Sequence, residues 1–261
     1  MNFDEHNIDD YNSHAWDKEV ERGCKWTVPV SPDVIARARE GEVSIVLTPQ
    51  QPVPCDWFPA LGGSNVLCLA SGGGQQAPIL AAAGANVTLL DNSTKQLDQD
   101  RMVAEREGLT IRLIKGDMRD LSMLDNGTFE LVFHPCSNNF VSDVRPIWNE
   151  CFRVLKRGGV LLAGFTNPSS YLFDELVLER ENRLEVRHKL PFAEVTDLDE
   201  ASRQYFTERE EPLLFGHLLT DQIGGQLDAG FHLTGFFEDR PPNGLLAEYM
   251  PTCIATRALK P

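Results

Sequence analysis

Residues 66–76 read Val-Leu-Cys-Leu-Ala-Ser-Gly-Gly-Gly-Gln-Gln, an apolar run that stops at three consecutive glycines. A helical pattern follows at once, from Ala77 to Ala83. Glycines between a strand and a helix let the backbone turn tightly and approach a ligand closely. Free N–H groups at the start of the helix add a polar cradle. The stretch therefore predicts a strand, a ligand-binding loop and a helix, in that order.

Strands and helices alternate on either side of this loop. Five apolar segments with the character of strands precede residue 166, at 65–70, 86–90, 111–115, 129–133 and 160–165. Helical patterns separate most of them, and this alternation favours an α/β fold with a parallel sheet covered on both faces. Two more strands are predicted near the C-terminus, at 231–238 and 252–259.

The alternation also suggests how the chain is organised. Residues 1–59 are expected to form an N-terminal helical extension, frayed over residues 1–12 and helical from Ser13. Residues 60–261 form the main domain. A charged segment at about 167–218 breaks the alternation and is interpreted as an insertion on the ligand side of the sheet.

Three tryptophans, Trp16, Trp26 and Trp57, lie in the N-terminal extension. They either fold over a ligand site as a lid or pack the extension onto the domain.

Composition restricts the partners. The formal net charge of −15 argues against a nucleic-acid backbone or an anionic membrane as partner, because both require a basic surface. No apolar run approaches the roughly 20 residues of a membrane span, and the acidic N-terminus is unlike a secretory signal. The six cysteines form no CxxC pair, which favours a reduced, cytoplasmic protein without a structural metal. Nothing in the sequence predicts the oligomeric state.

Polar side chains follow several predicted strands. In open α/β sheets ligands bind outside the carboxyl ends of the strands, where this chain places Ser71–Gly74, Asp91, Asp117-Met118 and His134–Asn139. Asp91 stands 19 residues after Gly72, a spacing that suits an acceptor for ribose hydroxyls. Asp117 could accept from an adenine amino group while Met118 packs beside the ring.

Two ligands fit a glycine loop followed by such an acid. Gly72-x-Gly74-x-x-Ala77 satisfies the dinucleotide fingerprint with alanine in third place. S-adenosylmethionine fits equally well on these residues alone.

Five motifs in order resemble the class I S-adenosylmethionine-dependent methyltransferases, and most closely the group that contains the ubiquinone/menaquinone methyltransferases. The motifs are 66–74, 90–91, 115–118, 129–132 and 153–159. The resemblance covers about residues 60–166. It implies a Rossmann-like seven-stranded sheet with helices on both faces and the last strand antiparallel, and it implies S-adenosylmethionine as cofactor.

By this resemblance the loop lies under the methionyl part of the cofactor, Asp91 binds the ribose, and Asp117 and Met118 flank the adenine. The cofactor-binding residues are then expected to be Ala70, Ser71, Gly72, Gly74, Asp91, Asn92, Gln96, Asp117, Met118 and His134. The acceptor is expected to meet Trp16, Trp26, Ser137, Asn138 and Asn139. His134 is the candidate catalytic base, although a histidine at a strand end is more often a packing or hydrogen-bonding residue.

The chain departs from the family pattern in its first motif. Cys68 stands where the family usually has an acid in the first strand, and Ala70 replaces the usual first glycine. In many members that acid helps to hold the methionine part of the cofactor.

The function predicted from these motifs is transfer of a methyl group to a small-molecule acceptor by in-line displacement, which demands positioning more than proton transfer. An NAD(P)-dependent oxidoreductase is the first alternative, and it would predict a Tyr-x-x-x-Lys pair that the chain lacks. A non-catalytic cofactor-binding protein of the same fold is the second alternative.

Overall fold

The computed structural model describes residues 5–261, with side chains described from residue 7 onward. Its strands are β1 (Asn65–Leu69), β2 (Asn86–Asp91), β3 (Ile111–Lys115), β4 (Phe129–His134), β5 (Leu155–Thr166), β6 (Phe192–Ala193), β7 (Phe215–Gly216), β8 (His232–Asp239) and β9 (Cys253–Leu259). Seven of them form one sheet in the order β3-β2-β1-β4-β5-β9-β8, and β6 pairs with β7 separately. Strands β1 to β5 are parallel, whereas β9 runs antiparallel to both of its neighbours. The predicted seven-stranded sheet with an antiparallel last strand is confirmed.

Helices surround the sheet, and further helices precede β1 and follow β5. They are α1 (Glu5–Arg22), α2 (Pro32–Arg39), α3 (Gln76–Ala82), α4 (Thr94–Glu107), α5 (Arg145–Val154), α6 (Glu175–Glu181), α7 (Glu194–Asp197), α8 (Glu200–Glu208), α9 (Gly225–Asp228) and α10 (Leu245–Tyr249). Ser93 and Gly108 predict a helix over residues 94–107, and the caps of α4 confirm these boundaries. Ser93 Oγ accepts a hydrogen bond from the N–H of Gln96, and Gly108 ends the helix with φ +66°.

The sheet is buried on both faces because successive side chains of a strand point to opposite sides. Val66 and Cys68 of β1 belong to an apolar cluster that includes Ile35 of α2. Leu67 and Leu69 belong to a second cluster, with Trp148 of α5. Parallel strands buried in this way bring their carboxyl ends together at one edge, and that edge carries the site described below.

Helix α1 is longer than the sequence predicted. Residues 1–4 lie outside the described residues, but the chain is already helical at Glu5, so fraying up to residue 12 is wrong. Ile8 packs with Leu213 and Phe215, and the side-chain amide of Asn12 donates to Phe140 O (2.9 Å) and Leu213 O (3.1 Å). Contacts 128 and 201 residues away in sequence stabilise this helix, and no local pattern reports them.

The segment between β5 and β8 also differs in detail. Apolar and charged residues alternate at 184–192, which is typical of an edge strand, but the structure has a bridge there between Phe173 and Val186, and β6 begins at Phe192. Many charged residues of this segment lie on the short helices α6 and α8, whose N-termini are capped by Asp174 and Asp199. Within residues 5–261, no helix combines the length and the apolar character needed to cross a membrane.

Candidate active site

A cavity of about 580 Å³ opens at the carboxyl ends of β1 to β4. This volume lies in the range of small-molecule sites. Its floor is the glycine loop, its sides follow the ends of β2, β3 and β4, and residues of α1 together with Trp26 border it from above. Among the predicted cofactor residues, those that line it are Ala70, Ser71, Gly72, Asp91, Asn92, Gln96, Asp117 and Met118.

The glycine loop has no room for side chains. Gly73 has φ +114°, and a Cβ built there would come within 2.7 Å of Trp26 O and 2.9 Å of Gln96 Oε1. A Cβ on Gly72 would come within 2.6 Å of Gln96 Cβ. The consecutive glycines are therefore required by close approach of the chain as well as by the turn itself.

The N–H groups of the loop are held by buried carboxyl groups rather than left free. Gly72 donates to Asp91 Oδ2 at 2.9 Å. Gly73 and Gly74 both donate to Asp100 Oδ2, also at 2.9 Å. The amides of the loop therefore bind the protein's own acids and do not cradle the ligand directly. Gly74 does not line the cavity and faces Pro29 instead.

Asp91 ends β2 and borders the cavity, as the sequence predicted. Besides the Gly72 contact, its Oδ1 accepts from the N–H of Ser93 at 3.0 Å. Burial raises the pKa of Asp91, while the backbone N–H donors partly offset that effect. A carboxylate oxygen with one backbone partner can still accept from a ligand hydroxyl, so Asp91 fits the ribose role.

The end of β3 is fixed by an ion-pair cluster. Asp117 Oδ2 accepts from Arg119 Nη2 at 2.7 Å, and the same guanidinium contacts Asp9 of α1. These carboxylates raise the pKa of Arg119 despite its partial burial. Met118 is buried and lies 4.0 Å from Ser137 Oγ through its sulfur. The cluster links α1 to the predicted adenine side of the cavity.

His134 does not line the cavity, so the structure gives no support to its predicted roles as base and as cofactor contact. Its ring is fully buried, with Nδ1 2.9 Å from Leu69 O and Nε2 2.6 Å from Asn138 Oδ1. Burial lowers the pKa of His134. Both ring nitrogens face oxygens of the protein itself. Asn138 is also buried, and it donates to Gln222 Oε1 at 2.7 Å.

The remaining predicted acceptor residues do border the cavity: Trp16, Trp26, Ser137 and Asn139. Trp16 meets Phe140 edge to face, with ring centroids 5.0 Å apart. Trp57 lies elsewhere and packs on Phe237 with centroids 5.3 Å apart. The predicted group of three aromatics is therefore divided between the cavity and the core.

Several residues that line the cavity were not among the predicted site residues. Asp9, Asp10 and Ser13 lie on the part of α1 that was expected to be frayed. Val46–Pro49 reach the cavity because Leu47 O accepts from the N–H of Cys136 (3.1 Å). The signal for this approach is Gly164, where a Cβ would come within 2.2 Å of Leu47 O. Thr166 and Cys253, paired across β5 and β9, complete the wall.

The charge of the cavity is negative. Among the described residues that line it, Lys115 is the one basic side chain, against Asp9, Asp10, Asp91 and Asp117. The Lys115 ammonium donates to Thr94 Oγ1 at 3.0 Å. Buried next to the loop, Gln96 Oε1 has no hydrogen-bond partner among the described residues. Acceptor oxygens and net negative charge suit a ligand with hydroxyl and amino donors and a positive centre, so the residues present fit S-adenosylmethionine.

Comparison with known proteins agrees with this geometry. A family model described as a methyltransferase domain matches residues 67–163. A Bacillus subtilis (strain 168) protein named uncharacterized methyltransferase YbaJ is 53% identical over 96% of this chain and 97% of its own length. A ubiquinone biosynthesis O-methyltransferase of Psychrobacter arcticus is 33% identical over 43% of this chain and 46% of its own length.

Solved structures share the fold. A S-adenosylmethionine-dependent methyltransferase from Mesorhizobium loti superposes with a TM-score of 0.59 at 18% identity, over 78% of this chain and 94% of that one. One from Methanosarcina mazei gives 0.55 at 16% identity, over 82% and 99%. The 53% identical relative spans almost the whole chain and is itself a methyltransferase by name. The chain belongs to the class I S-adenosylmethionine-dependent methyltransferases.

Proposed function

We propose that this methyltransferase acts on a small, largely apolar acceptor without negative charge. The observation that carries the proposal is the composition of the cavity beyond the glycine loop. Apolar and aromatic side chains dominate that part: Trp16, Trp26, Val46, Leu47, Pro135 and Phe140. The four acidic side chains of the cavity, Asp9, Asp10, Asp91 and Asp117, outnumber the basic groups beside them. Those groups are Lys115 and Arg119, which pairs with Asp9 and Asp117. The net negative charge disfavours phosphorylated compounds and nucleic acid.

Each half of the cavity has a separate task in this proposal. Asp91 and Asp117 hold the polar end of the cofactor, and the aromatic half holds the acceptor. When bound, S-adenosylmethionine supplies a methyl group that is already activated by its sulfonium. The chain aligns the two ligands and excludes water from the space between them. A general base becomes necessary only for acceptors that must lose a proton.

We further propose that α1 and the turn at Trp26 form a lid over both ligands, within an N-terminal extension of residues 1–59. Ser13 Oγ donates to Asn92 O at 2.6 Å, and Asp17 Oδ1 accepts from Ser93 Oγ at 2.6 Å and from the N–H of Lys95 at 2.9 Å. These contacts fix α1 to the loop that follows β2. Deleting residues 1–26 is expected to abolish acceptor turnover, and intact binding and turnover in that variant would contradict the lid.

A cytoplasmic location is part of the same proposal. All six cysteines are free thiols, which suits a reducing compartment.

The first experiment is calorimetric titration with S-adenosylmethionine and, separately, with NADH. We expect saturable binding of the former alone. S-adenosylmethionine with a labelled methyl group is then used to compare methylation of uncharged phenols, amines and thiols with methylation of phosphorylated compounds and RNA. Preferential labelling of an anionic acceptor would contradict the proposed acceptor class.

Trp16→Ala distinguishes the two halves of the cavity. We expect it to raise the KM of the acceptor about 10-fold, because an aromatic contact and apolar burial are lost, while the affinity for the cofactor changes little. Trp57→Ala is the control for loss of an aromatic ring, since Trp57 packs in the core, away from the cavity. An equal loss of cofactor affinity in the Trp16 variant would place that side chain at the cofactor instead.

A further inference from the structure

Asp100 is a buried acid that holds the glycine loop from behind. It lies on α4, has no exposed surface and does not line the cavity. Its Oδ2 accepts from the N–H groups of Gly73 and Gly74, each at 2.9 Å. Gly73 shares its N–H with Gln96 O at 3.2 Å. One carboxyl oxygen therefore fixes two successive amides of the loop that forms the floor of the site.

These two amides require such an acceptor. Gly73 and Gly74 have φ values of +114° and +73°, a conformation that turns their N–H groups away from regular secondary structure. Both residues are buried, and a buried N–H without a partner costs about 1–3 kcal/mol. Without Asp100 the N–H of Gly74 would lose its acceptor and that of Gly73 would keep only Gln96 O. The loop would have to move to satisfy Gly74, and the position of the floor would change with it.

The strand that leads into the loop lacks an acid of its own. Cys68 of β1 stands at the position where related enzymes usually have a carboxylate, and its thiol is fully buried. Asp100 lies near enough to the Cys68 thiol to raise its pKa further, beyond the effect of burial. The carboxyl group is therefore present beside the strand position, but it is delivered by α4.

We propose that Asp100 is the positioning residue of the glycine loop and that it supplies from α4 the carboxyl group beside this loop that β1, with Cys68, does not. Asp100 acts through the backbone of Gly73 and Gly74 and does not touch the cofactor. The proposal concerns cofactor binding alone and does not depend on the acceptor.

Exchange of the acid between the two positions tests this directly. Asp100→Ala should weaken binding of S-adenosylmethionine, measured by calorimetry, about 10- to 100-fold, because the buried Gly74 N–H loses its acceptor and the Gly73 N–H keeps only its longer contact to Gln96 O. Asp100→Asn keeps an acceptor oxygen and should stay within about threefold of the wild type. Cys68→Asp combined with Asp100→Ala should recover at least about 10-fold of the lost affinity.

A matched pair keeps the test valid if Asp100→Ala does not fold. Cys68→Asp/Asp100→Ala and Cys68→Ser/Asp100→Ala both lack Asp100, and only the first returns a carboxyl. Higher thermal stability and tighter cofactor binding in the first supports the proposal, and equal behaviour of the two overturns it. Wild-type affinity in Asp100→Ala overturns it as well.

Asp98→Ala is the control on the same helix. Asp98 is exposed and pairs with Arg101, so its loss should leave cofactor affinity unchanged. A loss as large as that of Asp100→Ala would indicate a general effect of α4 instead of the specific contact to the loop.

Discussion

The two halves of the cavity are held by different kinds of contact. On the cofactor side, the buried residues Asp91 and Asp100 bind backbone N–H groups of adjacent glycines, and a Cβ would clash at Gly72 and Gly73. On the α1 side, Ser13, Asp17 and Trp16 make contacts that are only partly buried. The first half is rigid by construction, because close packing and buried hydrogen bonds leave no alternative arrangement. The second half can open at lower free energy.

The difference in rigidity matches the different tasks proposed for the two halves. In the proposed assignment, a cofactor shared by many enzymes needs a fixed floor, whereas exchange of acceptor and product needs a wall that moves. The variants below break one half at a time, so that a loss in one and not in the other measures how far the two are independent.

Gly73→Ala should have the largest effect. It combines a φ of +114° with a contact of 2.7 Å to Trp26 O, and we expect it to lower the free energy of unfolding by about 2–4 kcal/mol and to abolish cofactor binding. Gly63→Ala is the control, because Gly63 has φ +77° but nothing within 4 Å of the added Cβ. Thermal unfolding and calorimetry of both variants separate the clash from the strain. Equal losses would show that backbone conformation alone matters.

Asp91→Ala should weaken S-adenosylmethionine binding by about 1–3 kcal/mol, the usual effect of losing a charged hydrogen-bond partner. The variant also leaves the N–H groups of Gly72 and Ser93 without their acceptor, so thermal unfolding must be measured beside calorimetry. Unchanged affinity in the folded variant would remove Asp91 from the ribose role.

The sequence predicts the cofactor side of the cavity better than the α1 side. The glycine loop, Asp91 and the caps of α4 are encoded by neighbouring residues, and the structure contains the loop, the strand end and the caps as predicted. The family motifs did not indicate Asp100, because its contact to Gly73 spans 27 residues and comes from a different element.

The α1 side could not be predicted for a related reason. The side-chain amide of Asn12 donates to the carbonyl oxygens of Phe140 and Leu213. Leu47 reaches the cavity because its carbonyl oxygen accepts from the N–H of Cys136 and lies close to Gly164. A polar side chain in an acidic N-terminus gives no local sign of such partners. The sequence does predict that His134 lies at a strand end, but the direction of its ring depends on contacts with Asn138 and Leu69 that this position does not indicate.

The contacts of α1 can be weakened without touching the glycine loop. Ser13→Ala combined with Asp17→Ala removes three hydrogen bonds to the loop after β2, and amide hydrogen exchange in α1 should become about 10-fold faster. Exchange at Gly73 and Gly74 should stay unchanged. Lys18→Ala is the control, since Lys18 pairs with Glu21 inside the same helix. Faster exchange in the glycine loop as well would show that the two halves open together.

A dependence on pH should arise from the cofactor side. Burial and the nearby Asp91 raise the pKa of Asp100 to about 8 from 3.8, against the opposing effect of the backbone N–H groups. Between these values the folded protein holds a proton that the unfolded chain has lost, so this group makes stability fall as pH rises from about 4 to 8. Asp100→Asn cannot titrate. The Tm of the wild type relative to Asp100→Asn should therefore decrease across that range.

Two other acids, Glu175 and the buried Glu194, have pKa values raised to about 7 and about 8. They titrate in the same direction, but they are common to both proteins and cancel in the difference. A wild-type Tm that rises relative to the variant between pH 4 and 8 would mean that Asp100 is ionised in the fold throughout.

Ala70→Gly should have the smallest effect, and it should be stabilising. Ala70 begins the glycine loop with φ +47°, although its N–H donates normally to Leu90 O at 2.8 Å. Left-handed backbone costs an L-residue about 1–2 kcal/mol, whereas glycine loses about 0.5–1 kcal/mol more in chain entropy on folding. The balance is a gain of about 0.5–1 kcal/mol in the free energy of unfolding, measured by urea denaturation. Ala81→Gly, inside α3, should lose about as much. Opposite signs for the two substitutions would show that the loop tolerates strain at its first residue, whereas losses in both would mean that the Ala70 methyl group packs well enough to offset it.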